Sequence, residues 1–495
     1  MSDRSPPSEE VVERTPTAVD AAETERRVPE GVMGMELLTE RRAHAAMLAR
    51  ETPEEAEREA ANDGRTVHGA LLVVANIEPN RMESLRALLQ RIVDEDVETN
   101  PIVPFLSLRS VHYARILIHE EAHDVNGNAI RAKLLFATDY DGELEPHLDE
   151  LVRELGIGLQ AIFSHCLGHP EAGSLSPGGQ KEWLKGHIEE DATTQFVGAV
   201  GRSVGQIRRE ARLRELIDEQ LDRELTAGTL PWDPVDIRRR IVEYIFEEQA
   251  DTFAWAKVQP PPIPEAVPFK TFLLRVGAIG LLLLPITILA AILAGLWLGL
   301  LRMKERKDRF VIPPDIKEKA GKLAEQEDLV TQNQLSSVIN IKPGFLRDRT
   351  LRAVLSFLRY SARYLETGGT LNGIASIHFA RWNIVDGGRR LLFFSNFDGS
   401  WESYLGEFVD KAAEGLSAVW SNCVGFPATR FLLLDGARDE QRFKAYSRAG
   451  QVPTQVWYSA YKSLSLVNVN NNTRIRLGLL GEMDAEQAAE WLRRF

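Results

Sequence analysis

The first half of this 495-residue chain is echoed, segment by segment, in its second half. NIEP at 76–79 returns as NIKP at 340–343, LRALL at 85–89 as LRAVL at 351–355, and SVHYAR at 110–115 as SIHFAR at 376–381. LLFATDYDG at 134–142 returns as LLFFSNFDG at 391–399, and AIFSHCLGHP at 161–170 as AVWSNCVGFP at 418–427. TQFVGAVGRS at 194–203 returns as TQVWYSAYKS at 454–463. The six matches keep their order at offsets of 257 to 266 residues, and the shrinkage is explained by the shorter turn DGG at 386–388. We read this as an internal duplication, which asks for two related folding units.

Within each unit the local patterns alternate. GALLVVANIEP is a buried apolar run closed by Pro79, after which Met82, Leu85, Leu88, Leu89 and Ile92 fall at helical spacing. SVHYARILIH and RAKLLFATDY read as strands around a turn at DVNGN. Asp141-Gly142 then opens a helix over ELEPHLDELVREL, and LQAIFSHCLGHP reads as a further strand. Strand, helix, strand, strand, helix, strand is the split βαβ order of a ferredoxin-like unit. The expected fold class is therefore α+β, with tandem ferredoxin-like domains, antiparallel sheets and a membrane-embedded helix inserted between them. The two units are expected to pair face to face, within one chain or across a homo-oligomer.

The insert is VGAIGLLLLPITILAAILAGLWLGLL at 276–301, 26 residues without a charge. About 20 such residues suffice for a helix to cross a bilayer core. Trp297 and the run RMKERKDR at 302–309 suit an interfacial anchor. Five basic residues follow the segment (Arg302, Lys304, Arg306, Lys307, Arg309), against Lys270 and Arg275 before it. The positive-inside rule then puts the C-terminal domain in the cytoplasm. A single crossing would send the first unit to the far side. A re-entrant hairpin kinked at Pro285 keeps both units cytoplasmic and is the expected topology, with lipid bilayer as the partner.

Five regions follow. Residues 1–66 read as a disordered acidic tail, lacking the apolar core of a signal peptide and carrying one solvated helix in TPEEAEREAAND. Residues 67–203 form the first ferredoxin-like repeat. Residues 204–268 hold two amphipathic helices, over 204–225 and 235–249, and the proline linker QPPPIPEAVP. Residues 269–309 form the membrane segment and 310–495 the second repeat. A net charge of -13 argues against nucleic acid as a partner. Two cysteines, Cys166 and Cys423, are too few for a disulfide framework and read as one repeated packing position.

Polar residues echoed at strand ends converge, on these strand assignments, on one rim of each sheet. His112 and Arg115 begin the second strand, Asp139 and Asp141 close the third, and His165 and Cys166 close the fourth. The second copy offers His378, Arg381, Asn396, Asp398, Asn422 and Cys423. Such a set suits proton transfer by His and Asp, or metal or haem ligation by His, with Arg stabilising an anion. The same residues also suit a bland reading, since Asp-Gly at a strand-to-helix turn supplies a helix cap. His378, Arg381 and Asp398 are the leading catalytic candidates, and His112, Arg115 and Asp141 the second set. An aromatic wall (Trp382, Phe393, Phe397, Trp401, Trp420, Trp457) accompanies the former. HEEAH at 119–123 has the letters of a zinc motif but ends a strand, so its histidines share no helical face. No metal or cofactor site is assigned from spacing alone, and there is no Walker motif or GxSxG elbow.

A duplicated ferredoxin-like unit with an x-x-x-D-G turn and a separate histidine resembles the dye-decolorising peroxidases and their dimeric α/β-barrel relatives. The resemblance implies a haem cofactor with an axial histidine, and an aspartate and arginine acting on peroxide. Asp141 or Asp398 would match the motif aspartate, although TDYDG and SNFDG lack its first glycine. Three functions are thus carried forward: binding of a small or lipid-derived molecule at the rim of a membrane-anchored protein, a haem-dependent oxidoreductase, and a non-catalytic membrane scaffold.

Overall fold

The computed structural model describes residues 52–259, 269–364, 369–371 and 373–495. In the first half, α1 (Pro53–Ala60) precedes β1 (His68–Asn76), α2 (Met82–Asp94), β2 (Val111–His119), β3 (Lys133–Asp141), α3 (Leu144–Phe163), β4 (Thr194–Val197) and α4 (Val204–Ala227). Two apolar helices follow, α5 (Phe269–Leu282) and α6 (Leu284–Glu305). The second half contains β5 (Gln332–Asn340), α7 (Phe345–Tyr364), β6 (Ile377–Val385), β7 (Arg390–Asp398), α8 (Trp401–Trp420), β8 (Val456–Ser459) and α9 (Leu466–Gly478). The class is mixed α+β with antiparallel sheets.

Each half builds three strands of its own sheet and gives the fourth away. The sheet orders are β1-β3-β2-β8 and β4-β6-β7-β5. β8 pairs with β2 in the register Val456↔Ile116 to Ser459↔Tyr113, and β4 pairs with β6 from Thr194↔Trp382 to Val197↔Phe379. The strand expected at 161–170 is absent. Ile162 and Phe163 continue the helical row of Leu148, Leu151, Leu155 and Leu159, so that run is the last turn of α3. Only Cys166 keeps a single bridge, to Ile77, and Cys423 repeats it with Ile341 beyond α8. A short apolar run reads alike as strand or helix end, and here the longer helical period wins.

Leu72, Leu117, Leu135 and Ala137 of the first sheet pack against Val385, Leu392 and Phe394 of the second. On the outer faces, α2 and α3 cover the first sheet and α7 and α8 the second. The sheets therefore stack face to face, with helices outside.

Residues 52–66, expected in the tail, are instead packed. Thr52 caps α1 through a capping box with Glu55, and Ala56 and Ala60 are buried against Leu213, Ile217, Ile475 and Trp491. Asp63 is buried and paired with Arg209 and Arg476. The helix is short and acidic, so its sequence looks solvated; the alanine stripe is what docks it. The rest of the expected tail, residues 1–51, lies outside the described residues, as does most of the proline linker. α4 is a packed helix, burying Ile207, Leu213 and Ile217.

The apolar segment is exposed. Leu284–Glu305 is long and apolar enough to cross a membrane, and 6% of its apolar window is buried. Helical bonding carries across the joint with α5, from Leu283 N–H to Ile279 O and from Thr287 N–H to Leu283 O, both at 2.9 Å. Pro285 lacks an N–H, and the Thr287 hydroxyl donates to Gly280 O at 2.8 Å beside the gap. Leu283 leaves helical geometry at this joint, so the two helices meet at a kink.

Candidate functional site

A β-bulge places each rim histidine. Val111 pairs with Tyr140 and Tyr113 with Asp139, which leaves His112 as the extra residue of β2. His378 is likewise extra between Ile377, opposite Phe397, and Phe379, opposite Asn396. A bulge turns one side chain out of the strand alternation. Here it aims each imidazole at the aspartate closing the next strand. His112 Nε2 lies 2.8 Å from Asp141 Oδ1, and His378 Nε2 lies 2.7 Å from Asp398 Oδ1.

The other carboxylate oxygens reach helix N-termini. Asp141 Oδ2 accepts the Val204 N–H at 2.8 Å and Asp398 Oδ2 the Leu466 N–H at 2.7 Å. Val204 and Leu466 open α4 and α9, where unpaired N–H groups and the helix dipole favour negative charge. Burial opposes ionisation of Asp141, but the contacts of His112 and His68 outweigh it and bring the carboxyl down to about 2. Burial lowers the His112 imidazole from its ordinary value against the opposing pull of Asp141, which favours the neutral ring. Its Nε2–H therefore donates to Asp141, and its Nδ1 accepts the Tyr461 hydroxyl at 2.7 Å.

These two braces differ at one register position. His68 stands opposite Asp141, whereas Gln332 stands opposite Asp398. Gln332 is fully satisfied: its Oε1 accepts the hydroxyls of Tyr113 (3.0 Å) and Ser459 (2.7 Å), and its Nε2 donates to the carbonyls of Tyr461 (3.0 Å) and Leu464 (2.6 Å). His68 is not. Its Nδ1 lies 3.3 Å from Asp141 Oδ1, its side chain is 5% exposed, and neither ring nitrogen makes a hydrogen bond among the described residues. A cavity of about 450 Å³ opens beside Asp141, lined by Thr66, Arg109, Ser110, Glu143, Ser203 and Gly205. Sequence reasoning missed His68 because it searched for polar residues that the halves share. The signal lay in the opposite place, at a rim position where they disagree.

The two arginines do not join their histidines. Arg115 donates to Leu335 O (3.0 Å), Ser336 Oγ (2.9 Å), Ser395 O (3.2 Å) and Asn396 Oδ1 (2.6 Å), all in the opposite sheet. Arg381 donates to Leu71 O at 2.7 Å and Thr138 O at 3.3 Å. Both are fully buried against the Phe394 ring. Burial lowers both, Arg115 to about 9 despite the nearby Asp139 carboxylate. They tie the sheets together, away from the cavity.

His165, Cys166, Asn422 and Cys423 also leave the rim. Cys166 bridges Ile77, just past the end of β1, whereas Asp141 faces His68 at its start, roughly 30 Å away along nine residues of strand. His165 Nδ1 and Asn422 Nδ2 bond to carbonyls of the preceding helical turn. Burial pushes both thiols up to about 12, the inert state of a packed cysteine. Of the aromatic wall, Trp382, Phe393, Phe397, Trp401 and Trp420 share the second half's core, and only Trp457 stands apart, donating to Asn396. His119 ends β2 and His123 ends a two-residue strand that Ala122 begins, so they share no helical face.

A haem needs an imidazole able to face its iron. His378 is fully buried, gives Nε2 to Asp398, and has its ring centroid 5.9 and 6.0 Å from those of Tyr113 and Tyr461. His112 has both nitrogens engaged. These residues do not fit a haem. No protein-family model matches the chain, no curated protein matches it, and no solved structure matches its fold.

Proposed function

We propose that this is a membrane-anchored protein of two ferredoxin-like copies that binds a small molecule in the cavity beside Asp141. The observation that carries the reading is the contrast between His68 and Gln332. Two braces share their histidine, aspartate and helix N-terminus, which supports the duplication and gives that shared part a structural role. One of them is closed by a satisfied amide, while the other holds a buried imidazole without a hydrogen bond among the described residues, against the aspartate that lines the cavity. Buried polar groups left unpaired are costly, so such a group points to a ligand that pairs with it.

The anchor reading rests on the exposed apolar helices and on where they return. Phe272 of α5 lies against Tyr360, and Trp297 of α6 donates to Thr350 at 2.9 Å, so both ends of the pair meet α7. With β4 in the second sheet and β8 in the first, a bilayer cannot pass between the halves of one chain. This supports insertion from one face, with both copies on the same side. The basic run after Arg302 favours the cytoplasmic side.

Native mass spectrometry of the detergent-extracted protein tests the binding. A small-molecule adduct should be present on the wild type and lost in His68→Gln; its retention in that variant would overturn the site. Protease digestion of sealed vesicles with a tag at each terminus tests the anchor. Both tags should be cut or protected together, and a split result would overturn one-face insertion.

A further inference from the structure

The ligand atoms of His68, His112 and Asp141 lie within 4.8 Å of one another. His68 Nδ1 and His112 Nε2 approach the same carboxylate oxygen, at 3.3 and 2.8 Å. Ligands about 2.1 Å from one ion stand about 3 Å apart when they are neighbours in its coordination sphere. Two imidazoles and one carboxylate at that spacing form a donor set for a borderline divalent ion such as zinc, iron(II) or cobalt(II).

A hydrogen-bonded brace alone accounts for His112 and Asp141, because His378 and Asp398 repeat it without a third partner. It does not account for His68. That side chain is buried, makes no hydrogen bond among the described residues, and sits edge-on to the His112 ring at 5.2 Å between centroids. Packing needs no imidazole there, since the other half carries glutamine at the matching position. We infer that His68, His112 and Asp141 bind one divalent transition-metal ion, with coordination positions left open toward the cavity.

The surroundings suit that role. A ligating histidine usually gives its other ring N–H to an acceptor that fixes the ring. The Tyr461 hydroxyl stands at His112 Nδ1, and can accept that proton once Nε2 is turned to a metal. The Val204 N–H holds Asp141 Oδ2, leaving Oδ1 for the ion. Asp141 also lines the cavity, so three protein ligands would leave room for water or a small-molecule donor. The inference rests on the binding site proposed above and names what its unsatisfied imidazole holds.

The test uses the full chain in detergent, stripped with chelator and titrated with cobalt(II), then with zinc(II) in competition. The expected result is one equivalent of cobalt with visible d–d bands, displaced by one equivalent of zinc. His68→Gln copies the residue of the other half, so it should fold with an unchanged melting temperature while losing about a hundredfold or more in affinity. Tyr461→Phe should keep the bands and weaken binding by about tenfold. Absence of bound cobalt or zinc in the wild type, or equal affinity in His68→Gln, overturns the metal site. A small-molecule adduct that persists without cobalt bands overturns the metal alone. Loss of both overturns the binding site as well.

Discussion

Arg115 donates to the side-chain oxygen of Asn396 at 2.6 Å, a bond that runs from the second strand of one sheet to the facing sheet. The same guanidinium satisfies three further acceptors there, and the Asp139 carboxylate is its main favourable charge. Replacing it strands those groups in the dry space between the sheets. Arg115→Ala should cost about 3 to 5 kcal/mol in chemical denaturation, the range for breaking one side of a buried charged network. A loss under about 1 kcal/mol would mean that the crossing is not a tie. Arg381→Ala, which breaks fewer bonds, should cost less.

The matching braces should separate stability from binding. Asp141→Ala and Asp398→Ala each remove an acceptor for a histidine and for a helix N-terminus. Each should lower stability by about 2 kcal/mol. Only Asp141→Ala should also abolish the adduct and the cobalt bands. Equal loss of binding in Asp398→Ala, with a melt matching that of Asp141→Ala, would place the site in the wrong half.

His147 should make the protein acid-sensitive. Its ring is buried, stacks on Tyr140 at 3.7 Å, and meets Thr138 Oγ1 at 2.7 Å; burial lowers it to about 3. The unfolded chain protonates this group near 6.5, the folded chain only near 3. Between those values the unfolded state binds more protons, so stability is complete above about 6.5 and falls as pH drops. The slope is up to about 1.4 kcal/mol per pH unit. His147→Gln should make it shallower, with the buried His119 and His112 supplying what remains, as read from urea midpoints across that range. An unchanged slope would assign the acid sensitivity elsewhere.

Leu289 and Leu293 are each 57% exposed on α6. Leu289→Arg with Leu293→Arg should move the protein from the membrane pellet to the soluble fraction. The melting temperature should not change, because neither side chain packs in the core. A melt lowered by more than a few degrees would show that these leucines face protein rather than lipid.

Much of this was legible in the amino-acid order, for identifiable reasons. Helical spacing over 82–94 and 144–155, alternation over 111–119, and the polar ends of β2, β3, β6 and β7 are local patterns, so the α+β class and the placing of His112, Asp141, His378 and Asp398 at strand ends could be read from them. The uncharged run around Pro285 likewise announces a helix of membrane-crossing length by composition alone, whereas its exposure is a fact of the tertiary structure. Which sheet a four-residue strand such as Thr194–Val197 joins is not local. Any open edge offers the same hydrogen bonds, and the facing Phe196 and Ala380 decide it only once both halves are folded. The direction of Arg115 and the isolation of His68 belong to the same kind of fact. An arginine beside a histidine in sequence ends up between the sheets because alternation along β2 puts successive residues on opposite faces, with a bulge at His112. His68 gained its meaning only when the strand register set it opposite Asp141, while the matching register set Gln332 opposite Asp398.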